Sequence, residues 1–175
     1  DQSGAVVERN SDLSEQLSIT GSYTVTCYDA AGNLKWEDNI KNLVVTVGKN
    51  DLLDKYFQGS SYTAAWYLGL VDGASSPTYS AGDTMSSHAG WTENTGYSAS
   101  TRPAPSWSAA SSGSKATTAT SFSINATSTI AGAFMTTDNT KSGTTGILYS
   151  AGNFTGGNRS VASGDTLNVT YTASV

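Results

Sequence analysis

Apolar and polar residues alternate with a period of two at both ends of the chain. Over residues 17–27 the apolar positions are Leu17, Ile19, Tyr23, Val25 and Cys27, separated by Ser18, Thr20, Ser22, Thr24 and Thr26. This pattern predicts a strand with one face in a core and the other in water. The last strand follows the same rule, with Leu167, Val169, Tyr171, Ala173 and Val175 on one parity. Asp29, Gly32 and Asn33 supply the local hydrogen bonds and the positive φ of a hairpin turn, so a second strand is expected from Leu34.

Residues 42–47 form another β-branched run and predict a further strand. Asn50 and Asp51 then suit the cap of a short helix, with Leu52, Leu53, Tyr56 and Phe57 as one apolar stripe and Gly59 as its stop. A helix this short needs tertiary support, so the stripe is expected to pack over an open end or face of the β-structure. Residues 64–71 are apolar on both parities. They predict a central strand buried on both faces, or one covered by a neighbouring subunit.

A long stretch rich in Gly, Ser, Ala and Pro follows over residues 72–114, with short strands expected near 91–97 and 102–107. Beyond it, Phe122 and Ile124, then Ile130, Phe134 and Met135, then Ile147 to Tyr149 mark three more strands, set apart by turn signals at Asp138-Asn139, Gly143, Gly156-Gly157 and Gly164-Asp165. Many short strands, one helix and no repeated unit indicate an all-β fold, an antiparallel β-sandwich with jelly-roll-like topology as the first choice. Residues 17–175 read as one domain. Residues 1–16 read as an extended N-terminal arm whose apolar pair is Val6 and Val7; it is either a free tail or a segment that orders on a partner.

Composition narrows the function classes. The 175 residues carry 9 Lys+Arg against 14 Asp+Glu, a net charge of −5, and only 13 % of them are charged. Ser and Thr make up about three in ten residues. No basic footprint exists to neutralise phosphates, so nucleic acid is not an expected partner, and no apolar run is long enough for a membrane span. The single cysteine, Cys27, cannot form an internal disulfide; its inward parity and lack of a basic neighbour read as a small buried hydrophobe. Four matches to the N-glycosylation pattern, at Asn125, Asn153, Asn158 and Asn168, follow from the hydroxyl-rich composition.

Catalytic chemistry finds little footing. His88 is the only histidine, and no G-x-S-x-G elbow accompanies it, so a Ser-His-acid triad and a His-cluster metal site are not expected. Asp72, Asp83 and Glu93 are the candidate carboxylates for glycoside hydrolysis, and Asp72 with Asp83 for calcium, but their spacing fixes no separation between them. No cofactor is implied. The 4 Trp and 9 Tyr are more informative. Strand parity places Trp36 and Trp66 in the core, whereas Trp91 and Trp107, in Gly/Ser/Pro-rich segments, are equally core residues or partner contacts.

Four blocks carry a resemblance: GNLKWEDNIKNLV at residues 32–44, GKNDLLDKYF at 48–57, AAWYLGLVDG at 64–73 and GDTMSSHAGWTE at 82–93. Over residues 23–102 the chain resembles the capsid decoration (cement) proteins of tailed bacteriophages. That resemblance implies a jelly-roll or related β-sandwich without enzymatic activity, made in the host cytoplasm and located on the outer surface of the virion capsid. Its implied partner is the major capsid protein, with a homo-oligomer, dimer or trimer, on the shell. Candidate partner contacts are then Val6, Val7, Arg9, Trp91 and Trp107. The other readings are a carbohydrate-binding or tail-fibre/head-fibre module for host attachment, and a bacterial surface or pilus β-domain.

Overall fold

The computed structural model describes residues 18–58 and 65–175. The expected arm at residues 1–16, with Val6, Val7 and Arg9, lies outside the described residues. Among the described residues two antiparallel sheets face each other. The first is built from β1 (Thr20–Tyr28), β2 (Leu34–Lys41), β6 (Ser114–Ala116), β7 (Thr120–Ser123) and β11 (Thr166–Ser174), in the order β2-β1-β11-β6 with β7 also on β11. The second contains β3 (Leu43–Val44), β4 (Tyr67–Asp72), β5 (Glu93–Asn94), β8 (Ser128–Thr136), β9 (Leu148–Asn153) and β10 (Arg159–Val161), in the order β3-β9-β8-β4-β5 with β10 also on β8. This is the all-β sandwich expected from the pattern. No helix among the described residues is long and apolar enough to cross a membrane.

The two terminal strands pair along their whole length, from Thr20 opposite Ser174 to Tyr28 opposite Thr166. Their inward residues, Tyr23, Val25, Cys27, Leu167, Val169 and Tyr171, are fully buried between the sheets, as the alternation predicts. The β1–β2 turn is held by the Asp29 carboxylate, which accepts hydrogen bonds from the backbone N–H of Ala31 (2.9 Å) and Asn33 (2.8 Å), while Gly32 takes φ +86°.

The second sheet is apolar on both faces. Its inner face joins the inter-sheet core through Leu68, Leu70, Ile130, Ala133 and Met135. Its outer face forms a second core in which Val71, Ala131, Phe134, Leu148 and Ala151 pack against Val45, Met85 and Trp91. The 72–114 stretch therefore acts as a cover, and its residues repeatedly return to the sheet. Only Glu93–Asn94 forms a ladder strand within the expected 91–97 segment, and Trp107 makes an isolated bridge to Thr117. The central position expected for 64–71 is occupied by β4, flanked by β8 and β5.

The helix departs from the sequence expectation in two respects. It spans Thr46–Gln58, so the β-branched run at 42–47 yields a strand of only Leu43–Val44 and then turns helical. The reason is tertiary. Lys49 N–H donates to the Val45 carbonyl at 3.1 Å, and Gly48 lies so close to β9 that a Cβ would sit 2.7 Å from the Tyr149 carbonyl oxygen. Only glycine allows this docking, which buries Val45 and commits the following residues to run over β9. The second departure concerns the apolar stripe, which does not pack down: Leu52 and Leu53 are exposed, and Tyr56 and Phe57 are 79 % and 76 % exposed.

Charged residues are few, and several sit in buried or half-buried ion pairs. Asp38 accepts from Arg159 Nε (2.9 Å) and Nη2 (2.6 Å) and from Thr155 Oγ1 (3.0 Å). Asp165 accepts from Lys35 Nζ (2.5 Å) and Ala162 N–H (2.8 Å). Burial opposes ionisation of Asp38, Asp138 and Asp165, but their hydrogen bonds and cationic neighbours outweigh it and hold all three below the usual carboxylate range. A depressed folded-state pKa contributes stability that is present above the unfolded value near ~4 and is lost as pH falls through the folded value. The melting temperature is therefore expected to fall steadily as pH drops below about 4, and Asp38→Asn should flatten part of that decline in a pH series of thermal melts.

Candidate functional site

A solvent-open groove of about 610 Å³ lies between the helix and one end of the sandwich. Helix α1 (Thr46–Gln58) contributes Asp51, Leu52, Lys55 and Tyr56, which recur at i, i+1, i+4 and i+5 and so share a face. The strands supply the floor: Met135 from β8, Tyr149 from β9, and Tyr171 and Ala173 from β11. Trp66, Trp107 and Lys115 complete the lining. The helix approaches β9 closely at Gly48, and its Leu52–Tyr56 face forms one wall of the groove. Leu53 and Phe57, one position further round, are exposed beside the groove wall.

The aromatic rings form a continuous path. Trp66 meets Tyr149 edge-on at 5.3 Å, Tyr149 meets Tyr171 at 6.2 Å, and Tyr171 meets Trp107 at 6.2 Å, with interplanar angles of 67°, 88° and 84°. Edge-to-face contact is the favourable arrangement for the ring quadrupoles, so each ring fixes its neighbour. Burial, with the neighbouring Tyr149 second, raises the Tyr171 pKa and keeps its hydroxyl neutral. Lys115 lies 6.0 Å from the centre of the Trp107 ring and donates to the Ser108 carbonyl at 2.8 Å. The groove offers ring faces and edges, aliphatic surface and a few charges, a chemistry of contact and stacking.

A second, smaller pocket of about 230 Å³ gathers His88, Glu93 and Arg102. Their geometry is that of a clamp. Arg102, 1 % exposed, forks onto Glu93 through Nε–Oε1 (3.0 Å) and Nη2–Oε2 (2.8 Å) and donates to the carbonyls of Asp138 (2.8 Å) and Gly143 (3.1 Å). Glu93 Oε2 also accepts from Ser142 N–H at 2.6 Å. His88 Nδ1 lies 3.0 Å from the Trp91 carbonyl oxygen, and its ring stacks on Trp91 at 3.9 Å. These contacts fasten two loops to the second sheet.

The structure separates the residues that the sequence grouped. Trp91 is 2 % exposed and belongs to the outer core, where its indole N–H donates to Asp83 at 3.1 Å. Trp107 is half-buried and stands on the groove wall. Trp66 and Trp36, expected in the core, pack against it but are only partly buried: Trp66, just before β4, also lines the groove, and Trp36 lies against Phe154. Asp72 accepts from Asn94 (2.8 Å), Asp83 from Trp91, and Glu93 from Arg102, so each of the three carboxylates holds its own loop. Burial, followed by the Asp165 charge, pushes the Cys27 thiol up to about 11. Sequence reasoning missed Leu52, Tyr56, Tyr149 and Tyr171 as groove residues. The signal available was the helix stripe; which rings face it depends on how the helix docks.

No known protein family, curated protein or solved structure matches the chain.

Substitutions should separate the two pockets by chemical denaturation. Arg102→Ala leaves Glu93 buried without its cation and is expected to cost about 3–5 kcal/mol. Trp91→Ala should cost about 3–5 kcal/mol as a core deletion, and Trp107→Ala less than half of that, because its ring already borders solvent.

Proposed function

We propose that this protein is a structural component of a tailed-phage particle that binds the outer surface of the head and reinforces the capsid shell. The observation that carries this reading is the surface made by the helix and groove. Leu53, Tyr56 and Phe57 stand exposed beside an aromatic trough, and Tyr56 and Phe57 brace each other edge-to-face at 5.0 Å. Contiguous apolar surface of this kind marks an interaction site, and aromatic side chains are the usual anchors of such sites. The ion-paired charges and hydroxyl-rich strands leave a lightly charged exterior suited to close packing on another protein.

Under this reading the partner is the major capsid protein, and the protein acts by contact without catalysis. Repetition of equivalent sites across an icosahedral head multiplies a modest affinity per site, more so if dimers or trimers sit astride local symmetry axes. The resemblance of residues 23–102 to decoration proteins supports the same assignment, including a jelly-roll-like course of strands and a place on the outside of the virion. The groove also favours a second reading, a carbohydrate-binding or fibre module for host attachment, since Trp66 and Trp107 present rings on which a sugar could stack.

Purified protein is expected to bind heads that lack it and to raise their thermal resistance. The double variant Tyr56→Ser/Phe57→Ser should bind at least about tenfold more weakly, equivalent to about 1.4 kcal/mol, with its fold intact by circular dichroism. Absence of wild-type binding to such heads overturns the shell assignment. Selective glycan binding that disappears in Trp107→Ala establishes the second reading in its place.

A further inference from the structure

The outer core of the second sheet is shared by two segments that are separated in the chain. The base of helix α1 brings Val45 and Val47, and the connection between β4 and β5 brings Tyr79, Met85 and Trp91, onto one floor of Val71, Ala131, Phe134 and Leu148. A backbone bond joins the two segments directly: the N–H of Thr46, the first residue of the helix, donates to the Ala81 carbonyl at 2.9 Å. The first turn of a helix holds no acceptor for such an N–H, so the loop supplies it.

The β4–β5 connection, residues 73–92, closes on itself. Its ends meet in the ladder that pairs Val71 with Glu93 and Leu70 with Asn94, and Asp72 N–H donates to the Thr92 carbonyl at 2.9 Å. Inside it, Thr78 N–H donates to the Gly90 carbonyl (2.9 Å), and Asp83 accepts from the Trp91 indole N–H and from Ser80 N–H (both 3.1 Å). Such a loop is a compact unit held in shape by its own side chains. It is tied to β9 by Asn153, which accepts from the Tyr79 hydroxyl at 2.6 Å and donates to the Pro77 carbonyl at 3.1 Å. The inner core, with Tyr23, Val25, Val169 and Tyr171, lies on the other side of the sheet, and among the described residues it shares no buried member with the outer one.

We propose that helix α1 and the 73–92 loop form one conformational unit, coupled through the outer core, which loosens from the second sheet together while the inner core stays closed. Coupling of this kind is reciprocal: whatever displaces the loop weakens the docking of the helix, and anything that engages the docked helix stabilises the loop in turn. The loop thereby regulates the surface that carries Leu53, Tyr56 and Phe57. This inference stands on the outer core and holds whatever the helix binds.

Amide hydrogen exchange followed by NMR on the full-length chain tests it. Met85→Ala, a truncation within the loop, is expected to speed exchange of the hydrogen-bonded loop amides Thr78, Thr84 and Ser87 and of helix amides 50–54 by the same factor, at least about tenfold. Val169→Ala, in the inner core, should speed exchange in β1 and β11 and leave the helix and the loop unchanged. Faster exchange of the loop alone in Met85→Ala overturns the proposal, because the two segments then open separately. Equal acceleration of helix, loop and strands in Val169→Ala also overturns it, because they then open only with the whole fold. Tyr79→Phe removes the bond to Asn153 without opening a cavity and should reproduce the Met85→Ala pattern at about threefold or more, so the test survives a Met85 variant that does not fold. The assay uses no phage heads, and its outcome is independent of the shell assignment.

Discussion

Buried phenols govern the end of the sandwich on which the candidate site stands. Tyr23 and Tyr171 are fully buried and pack together at 4.6 Å, and a buried hydroxyl must find a partner or carry the cost of its lost hydration. Tyr23 solves this across the sheets, its hydroxyl 2.7 Å from Ser150 Oγ on β9. Tyr171 reaches Asn42, just before β3, at 3.5 Å and requires a glycine at position 21. Burial raises the Tyr23 pKa well above its ordinary value, so this link between the sheets stays neutral. The same ring system continues through Tyr149 to the open end, where its edges become the groove floor. Core and site are one aromatic assembly seen from two sides.

The second sheet imposes the other major constraint. A sheet apolar on both faces needs two partners, and this chain supplies one of them from a long segment with almost no regular structure. Met85 and Trp91 provide the apolar contact, while Arg102 satisfies carbonyls and a carboxylate that would otherwise be stranded. Arginine suits this place because its planar fork carries several donors in fixed directions and stays charged. Its guanidinium also lies 5.2 Å from the Phe134 ring centre. One buried cation thus does for the loops what ladder hydrogen bonds do for strands.

Legibility in the sequence followed the range of the determining forces. The alternation at residues 17–27 and 167–175 is set by water on one side and core on the other, and it gave the right strands and most inward residues; Val175, expected inward, lies past the end of β11 and is 66 % exposed, and Leu17 lies outside the described residues. The double-parity run at 64–71 correctly indicated a central strand, although its outer cover is the chain's own loop. At residues 45–47 the local preference of Val45, Thr46 and Val47 for extended backbone lost to the docking of Gly48 on β9, and the helix began four residues before the expected cap at Asn50. Trp91 and Trp107 sit in similar local sequence, yet one is core and the other groove wall. Their difference comes from non-local contacts with Phe134 and Tyr171.

By itself the sequence determined the fold class, the inward face of most strands, the β1–β2 turn and the structural character of Cys27. These depend on side-chain period and on local hydrogen bonding, which are properties of short windows of chain. Only the tertiary structure decided where the helix lies, which apolar residues it leaves in water, and that Leu52, Tyr56, Trp66, Trp107, Tyr149 and Tyr171 converge on one groove. Those residues come from segments far apart in the chain. They meet where Gly48 lets the helix press against β9, a condition of three-dimensional packing that no periodicity encodes.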